Sequence, residues 1–566
     1  MPQTSNSYLS LCLECASALW RASSRPLRVA WRRSSIYRLQ LHGRVPERIR
    51  IQPVDFSPRS LEEANALLNG KFSFAGESVK ADGGSIFDKA PPSNAWAETL
   101  HGFGWLASLA EAGGEPARTL ACDLIGQWLH RYGRYSEPAW RADVLARRLL
   151  NLFSHGRFVL ARSDLMWRSR LLVSLREQTR MLARVCNEAP EGVPRLQAAA
   201  ALALSGLCID GGSRRLAAGL SRLESELSMQ ILPDGGHISR SPLALLCAYQ
   251  IVVCVTDVLA RTEQDIPPGL RNARDRMAPM LRFFRLGDGA LAMFNGGRES
   301  DAKALASLLA RDDVRGQPFA FAPHSAYHRL AAGRTLVVMD CGAPPPGVYA
   351  NTAHSGCLGF EFSAGHQRVV VNCGTSDDHT RWQNALRATA AHSTIVLGDR
   401  SVGYILSGIP SRLLGPRLLG GPTRVETIRH ETAGGGIVDA MHDGYVPAYG
   451  VIHQRRITLS PAGTMLSGTD RLTPGQERRP QPVSFAARFH VHPDIRVSAS
   501  QGGGAILKLP SGEGWRFQAT GAQLSLEKSI YVANESARRA EQLVLSGTVR
   551  NEPVDISWFF ERFGNS

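Results

Sequence analysis

Two segments of the chain bring histidine and arginine together at spacings that suit proton transfer beside a bound anion. In residues 231–242, ILPDGGHISRSP, His237 and Arg240 follow the turn set by Asp234, Gly235 and Gly236. An imidazole titrates near neutral pH and can give or take a proton. A guanidinium fork matches a carboxylate or a sulfate. In residues 353–365, AHSGCLGFEFSAG, His354 is the proton carrier of choice, and residues 387–399, RATAAHSTIVLGD, set Arg387 ahead of His392. Trp140, Arg147 and Arg148 put an aromatic face beside two guanidiniums. His490 and His492 alternate in RFHVHP and so project to one face of a strand. With no third ligand in view, a structural role is expected for them. Asp377, Asp378 and His379 read as a solvated turn.

The elements that carry these residues change character along the chain. From about residue 93 to 285 the apolar period is helical, as in Leu120, Leu124 and Trp128, in Leu145, Leu149 and Leu152, and in Leu216, Leu220, Leu223 and Leu227. Breakers such as Gly113-Gly114 and Gly211-Gly212 separate helices of three to five turns, which suggests pairs wrapped into a bundle, solenoid or toroid. After about residue 320 the period becomes two, as in Leu358, Phe360 and Phe362, and later Leu507-Lys508-Leu509 and Trp515-Arg516-Phe517. Ser511 to Gly514 reads as the hairpin turn between the last two. Helices first and strands second predict an α domain followed by a large antiparallel β-sandwich.

Composition bounds the rest. At 566 residues the chain needs more than one core, and its 43% hydrophobic content is that of a folded protein. The net charge of +15 is carried almost wholly by arginine, which fits a polyanionic ligand. No basic run with interleaved aromatics points to nucleic acid. Most cysteines, among them Cys122, Cys208, Cys247, Cys254 and Cys373, sit in apolar stretches as buried thiols do, and Cys12 with Cys15 forms a lone pair without further ligands. The apolar patch from Tyr8 to Trp20 is interrupted by Glu14 and does not read as a signal peptide. The run from Ala244 to Ala260 contains Gln250, Thr256 and Asp257 and reads as a buried helix, not a membrane span.

Taken together, DGGH…SP at 234–242, Trp140 eight residues before Arg148, MFNGG at 293–297, AHSG at 353–356, VVVNCGT at 369–375 and the AHST block at 391–394 resemble the heparinase II/III polysaccharide lyases. That resemblance implies an incomplete (α/α) toroid over 51–315 and a β-sandwich over 325–566; residues 1–50, basic through Arg21, Arg25, Arg28, Arg32 and Arg33, read as an irregular surface-laid extension or a mobile tail. It implies β-elimination on a uronic-acid polysaccharide such as a heparin-like polymer, and a periplasmic or cell-envelope location, with the cytoplasm open for want of an export signal. Elimination requires a group that neutralises the uronate carboxylate, a base for the C5 proton and an acid for the leaving oxygen.

Carried over residue by residue, His354 matches the family's sandwich histidine, with His237 and Arg240 as its catalytic companions and Trp140, Arg148 and Arg387 as substrate contacts. The family's toroid tyrosine falls on Ala244, and its acidic residue in the DGGH segment on Ser239. His392 matches a ligand of the family's structural metal, but the other ligand positions read Gly356 and Asn372, so tightly bound zinc is not expected there. Two other functions compete: a binding protein of the same fold that has lost the chemistry, and a glycoside hydrolase using carboxylates such as Asp234 and Glu188.

Overall fold

The structure, a computed structural model, describes residues 3–57, 59–161, 164–311, 318–376, 382–432, 434–475, 482–533 and 537–563; Asp377, Asp378 and His379 lie outside them. The chain divides into two compact units that interleave in sequence. One comprises Met1–Gln230 and Cys247–Arg274, and the other Ile231–Leu246 and Asp275–Ser566. The change of domain expected near 315–325 follows the change of hydrophobic period, whereas compactness gives the strand-rich unit both the segment 231–246, with His237 and Arg240, and everything from Asp275 onward.

The first unit is helical. Its helices start where polar side chains cap free backbone N–H groups: Ser60 accepts from Glu63, Ser93 from Trp96, and Asp164 from Met166 and Trp167. The helix Asn94–Gly102 stops at Phe103, whose φ of 59° lies in the left-handed region. Helices Val193–Cys208 and Ser213–Gln230 approach closely because Gly219 has no Cβ; one there would lie 2.3 Å from the Ala203 nitrogen. The N-terminal extension, expected to be irregular, is instead largely helical through Gln3–Arg33 and Ser35–Leu39. Gln3–Arg33 is a single helix tied to its unit by Arg25 to Glu137 and Arg32 to Glu188. Among the described residues one helix, Pro242–Arg261, is long and apolar enough to cross a membrane, and most of it is buried.

Among the described residues the second unit holds two large antiparallel sheets and a two-stranded one, Gly403–Ile405 with Leu418–Gly420. The eight-stranded sheet runs in the order Val425–Thr432, Gly435–His442, Val451–Leu459, Met465–Pro474, Val554–Phe563, Gly514–Thr520, Ala505–Lys508, Arg496–Ala499. The nine-stranded sheet is built around Ala537–Val549, Val483–Val491, Gln367–Val371, Phe360–Ala364 and Thr335–Asp340. Alternation sends Phe360, Phe362, Phe485 and Phe489 inward from one sheet, and Trp515, Phe517, Trp558 and Phe560 from the other. Phe360 and Trp558 stack with centroids 5.6 Å apart. Burial of each such ring contributes about 1.5–3 kcal/mol. The turn read at 511–514 joins the strands as expected, with Leu507 opposite Trp515.

One ion pair lies inside this core. Arg455 donates to both oxygens of Asp470, at 2.6 and 3.0 Å, and to the carbonyls of Leu358 and Ser393. Both side chains are fully buried.

Candidate functional site

The candidate residues of the strand-rich unit sit on one buried hydrogen-bonded framework. Asp234 begins it, accepting from Gly236, His324 and from the backbone and hydroxyl of Ser325. Gly235 has φ of 86°, and a Cβ at Gly236 would meet the Ser325 hydroxyl, so this turn tolerates little else. His237 is buried, and its Nδ1 accepts from the Ser239 backbone at 3.1 Å while meeting the Ser239 hydroxyl at 2.7 Å. The serine that stands in the family's acidic position therefore orients this imidazole.

Arg240 was expected to meet a carboxylate or sulfate of substrate. Its guanidinium instead pairs with Asp340 and donates to the carbonyls of Ser325, Ala326 and Ala343, within a residue that is 8% exposed. Asn295 joins the framework on the other side. Its amide nitrogen reaches the Tyr327 hydroxyl and Asp340, and its oxygen accepts from the backbone of His354. Tyr327 closes the loop by donating to the Arg240 carbonyl at 2.7 Å.

His354 and His392 are paired directly, with Nδ1 of the first 3.0 Å from Nε2 of the second. The Ala388 carbonyl, 2.9 Å from Nδ1 of His392, can only accept, so that nitrogen carries the proton. In the neutral ring Nε2 is then an acceptor, and His354 must donate to it from Nδ1. Burial, then the charges of His392 and Arg387, holds His354 well below the usual imidazole range; burial takes His392 down to about 4. Arg387, expected to touch substrate, straps the backbone ahead of His354 through the carbonyls of Ala350, Ala353 and Pro416. The space bounded by Arg240, Asp340, His354, Ser355 and Cys357 amounts to about 10 Å³, room for one water at most and none for a sugar ring.

The residues at the expected metal position do not fit a metal. Both nitrogens of His392 are engaged, and Asn372 is committed to Glu361, Met293 and Ser393. A Cβ at Gly356 would lie 2.6 Å from the His392 ring. Among the described residues no group of three or more histidine, cysteine or acidic side chains is placed to hold an ion. His490 is bonded to Ser529 and the Ala390 carbonyl, while His492 faces Glu299.

In the helical unit Trp140 and Arg148 lie in the core and not on a wall. Trp140 is 2% exposed and donates to the Tyr132 carbonyl. Arg148 is fully buried, bonded to Gln178 and the carbonyls of His101 and Ala139, and its guanidinium lies 4.2 Å from the Trp128 ring centroid. Burial lowers its pKa to about 9. Neither side chain offers surface to a polymer. Glu188 is spoken for by Arg32 and Asp234 by the turn above, so neither carboxylate is free for hydrolysis.

Sequence reading missed Asn295, Tyr327, Asp340 and Glu361, which hold the framework together. Asn295 lay within MFNGG, a segment already singled out. Glu361 lay within the quoted block 353–365, and Tyr327 and Asp340 carry no motif.

An acid-stability prediction follows from the buried imidazoles. His101, His237, His328, His354, His392, His442, His453 and His490 are all pushed below the ordinary value of 6.5, chiefly by burial. A depressed folded pKa means that the unfolded chain takes protons first as pH falls. The stability is therefore complete above about pH 6.5 and is lost toward pH 4, at roughly 1.4 kcal/mol per histidine per pH unit. Denaturant midpoints measured at pH 7.5, 6.5, 5.5 and 4.5 should drop steadily; a flat profile contradicts the burial of these rings.

Comparison with known proteins agrees with this architecture. The heparinase II/III-like C-terminal family model matches residues 314–559. The chain is 33% identical, over 92% of its length and 91% of the relative's, to FtsZ-localized protein C of Caulobacter vibrioides. The structure resembles that of heparinase III with a TM-score of 0.69 and 14% identity, covering 94% of this chain and 89% of the other. It also resembles a heparan sulfate lyase from Pedobacter heparinus with a TM-score of 0.58 and 16% identity, covering 94% and 87%.

Proposed function

This chain belongs to the heparinase II/III-like family, and from that premise we propose that it is a non-catalytic member acting as a scaffold beside FtsZ. The observation that carries this reading is the His354–His392 pair. A general base works best with a pKa near the operating pH. His354 is held far below that range, donates its one proton to a neighbouring ring, and borders a space too small for a sugar. Arg240, the residue suited to neutralise a uronate, is already neutralised by Asp340. The extensive similarity to a protein named for its localisation with FtsZ supplies the direction of the proposal.

The N-terminal helix supports a scaffold from a second side. Trp20, Leu27 and Trp31 are exposed by 68, 76 and 48% and, at seven and eleven residues' separation, return to one face. Arg25 and Arg32 lie on the opposite half of the helix, toward the unit. Residues 1–50 hold nine arginines against two glutamates. An apolar stripe on a basic helix suits the surface of an anionic membrane. This reading places the protein's positive charge against lipid headgroups, and the family's acidic polysaccharide becomes the competing ligand. A lyase in the cell envelope remains the second reading, because Nε2 of His354 keeps an acceptor lone pair.

The scaffold reading predicts that the purified chain pulls down purified FtsZ. It also predicts flotation with phosphatidylglycerol-containing vesicles, weakening as salt screens the charges. Trp20→Ser with Trp31→Ser should reduce flotation at least tenfold without altering FtsZ capture. Failure to capture FtsZ sinks the proposal; flotation unchanged in the double variant removes the helix from it.

A further inference from the structure

A groove of about 540 Å³ lies on the outward face of the eight-stranded sheet. Register explains its floor. Arg456, Thr469, Ser557 and Thr520 face one another across four neighbouring strands. The adjoining outward row is Thr458, Ser467, Phe559 and Gln518. These rows are separated by two residues, roughly 6.6 Å, and the four strands span about 14 Å. Gly502 and Gly503, with no other atoms near where their Cβ atoms would stand, form an open rim.

The chemistry of the lining is specific. Five hydroxyls and one amide present both donors and acceptors. Phe559 is half-buried among them, between the inward-facing Trp558 and Phe560 that fix its strand. Arg456 alone among the lining residues is charged, and Asp439 holds its guanidinium in two hydrogen bonds of 2.7 and 2.9 Å. The groove therefore has no uncompensated charge with which to attract a polyanion. It offers instead an aromatic face ringed by hydroxyl-bonding groups, which is complementary to a ring with an apolar C–H face and hydroxyls at its edge.

We propose that this groove binds a short stretch of neutral glycan, independently of the His354 region and of the FtsZ reading. The ligand differs in charge from a uronate polymer, and the site lies on the sheet face opposite the core.

Isothermal titration of the full chain with chitohexaose, cellohexaose and maltohexaose, beside a heparin hexasaccharide, tests the assignment. At least one neutral sugar should bind with a millimolar or tighter Kd. Phe559→Ala should weaken it at least tenfold, the scale of one aromatic contact. Ser557→Arg, which fills the groove from an exposed position, should abolish it. Both variants should keep the wild-type thermal midpoint within a few degrees. Binding of the heparin fragment alone, binding of neutral sugar that neither variant disturbs, or no binding of any neutral sugar overturns the proposal.

Discussion

Replacing Arg455 by leucine is expected to lower the stability of the strand-rich unit by about 3–5 kcal/mol, the usual consequence of stranding one charge of a buried pair. Asp470 would be left in the middle of the sandwich with His453 at 2.8 Å and Trp558 at 2.9 Å as its remaining partners. Its carboxyl is now held well below the ordinary range: burial opposes its charge, but Arg455 and His453 outweigh that cost. Removing Arg455 also leaves the Leu358 and Ser393 carbonyls without their donor. The neighbouring residue is the control. Arg456 makes an equally well-formed pair with Asp439, but its side chain is 59% exposed, so Arg456→Leu should cost less than about 1 kcal/mol. Denaturant melts of the two variants should differ severalfold in effect, and equal losses would show that the sandwich interior is wetter than described.

The second large effect concerns the position where the family resemblance expects a metal ligand. Gly356→Asp restores the acidic type but brings a Cβ within 2.6 Å of the His392 ring, which Ala388 and His354 hold from both nitrogens. The ring cannot swing away without breaking one of those bonds. Overpacking of this kind costs about 1–3 kcal/mol, and burying an unpaired carboxylate adds to it. Gly356→Asp should therefore melt earlier than wild type and retain no stoichiometric zinc after dialysis. A variant that gains both zinc and thermal stability would show that the site accepts a metal after all.

How much of this was legible in the sequence depended on the range of the interaction. The Leu507–Trp515 hairpin was readable because its turn and its period of two are both local. So was the Asp234-Gly235-Gly236 turn, where glycines are required by positive φ and by the close approach of Ser325. Arg148 was misleading. Its position on a helix looks like that of any exposed arginine, and its burial depends on Phe103, Trp128 and Gln178 arriving from other segments of the unit. Arg240 misled in the same way, since Asp340, the residue that absorbs its charge, lies one hundred positions away. The His354–His392 contact joins two blocks that each looked catalytic or metal-binding alone. Only their proximity shows that each ring occupies the other. The segment 231–246 returned to the strand-rich unit through contacts that no hydrophobic period records.

The proposed loss of chemistry is tested most directly by incubating the purified protein with heparin, heparan sulfate, hyaluronan, alginate and polygalacturonate while following the ultraviolet absorbance of the unsaturated product. The paired, neutral and enclosed state of His354 predicts no product above the buffer control at any pH from 5 to 9, about the span over which imidazole and its perturbed forms titrate. Product that accumulates with wild type and falls a hundredfold or more in His354→Ala, the scale on which a lost acid–base group acts, would contradict the account and restore the lyase reading.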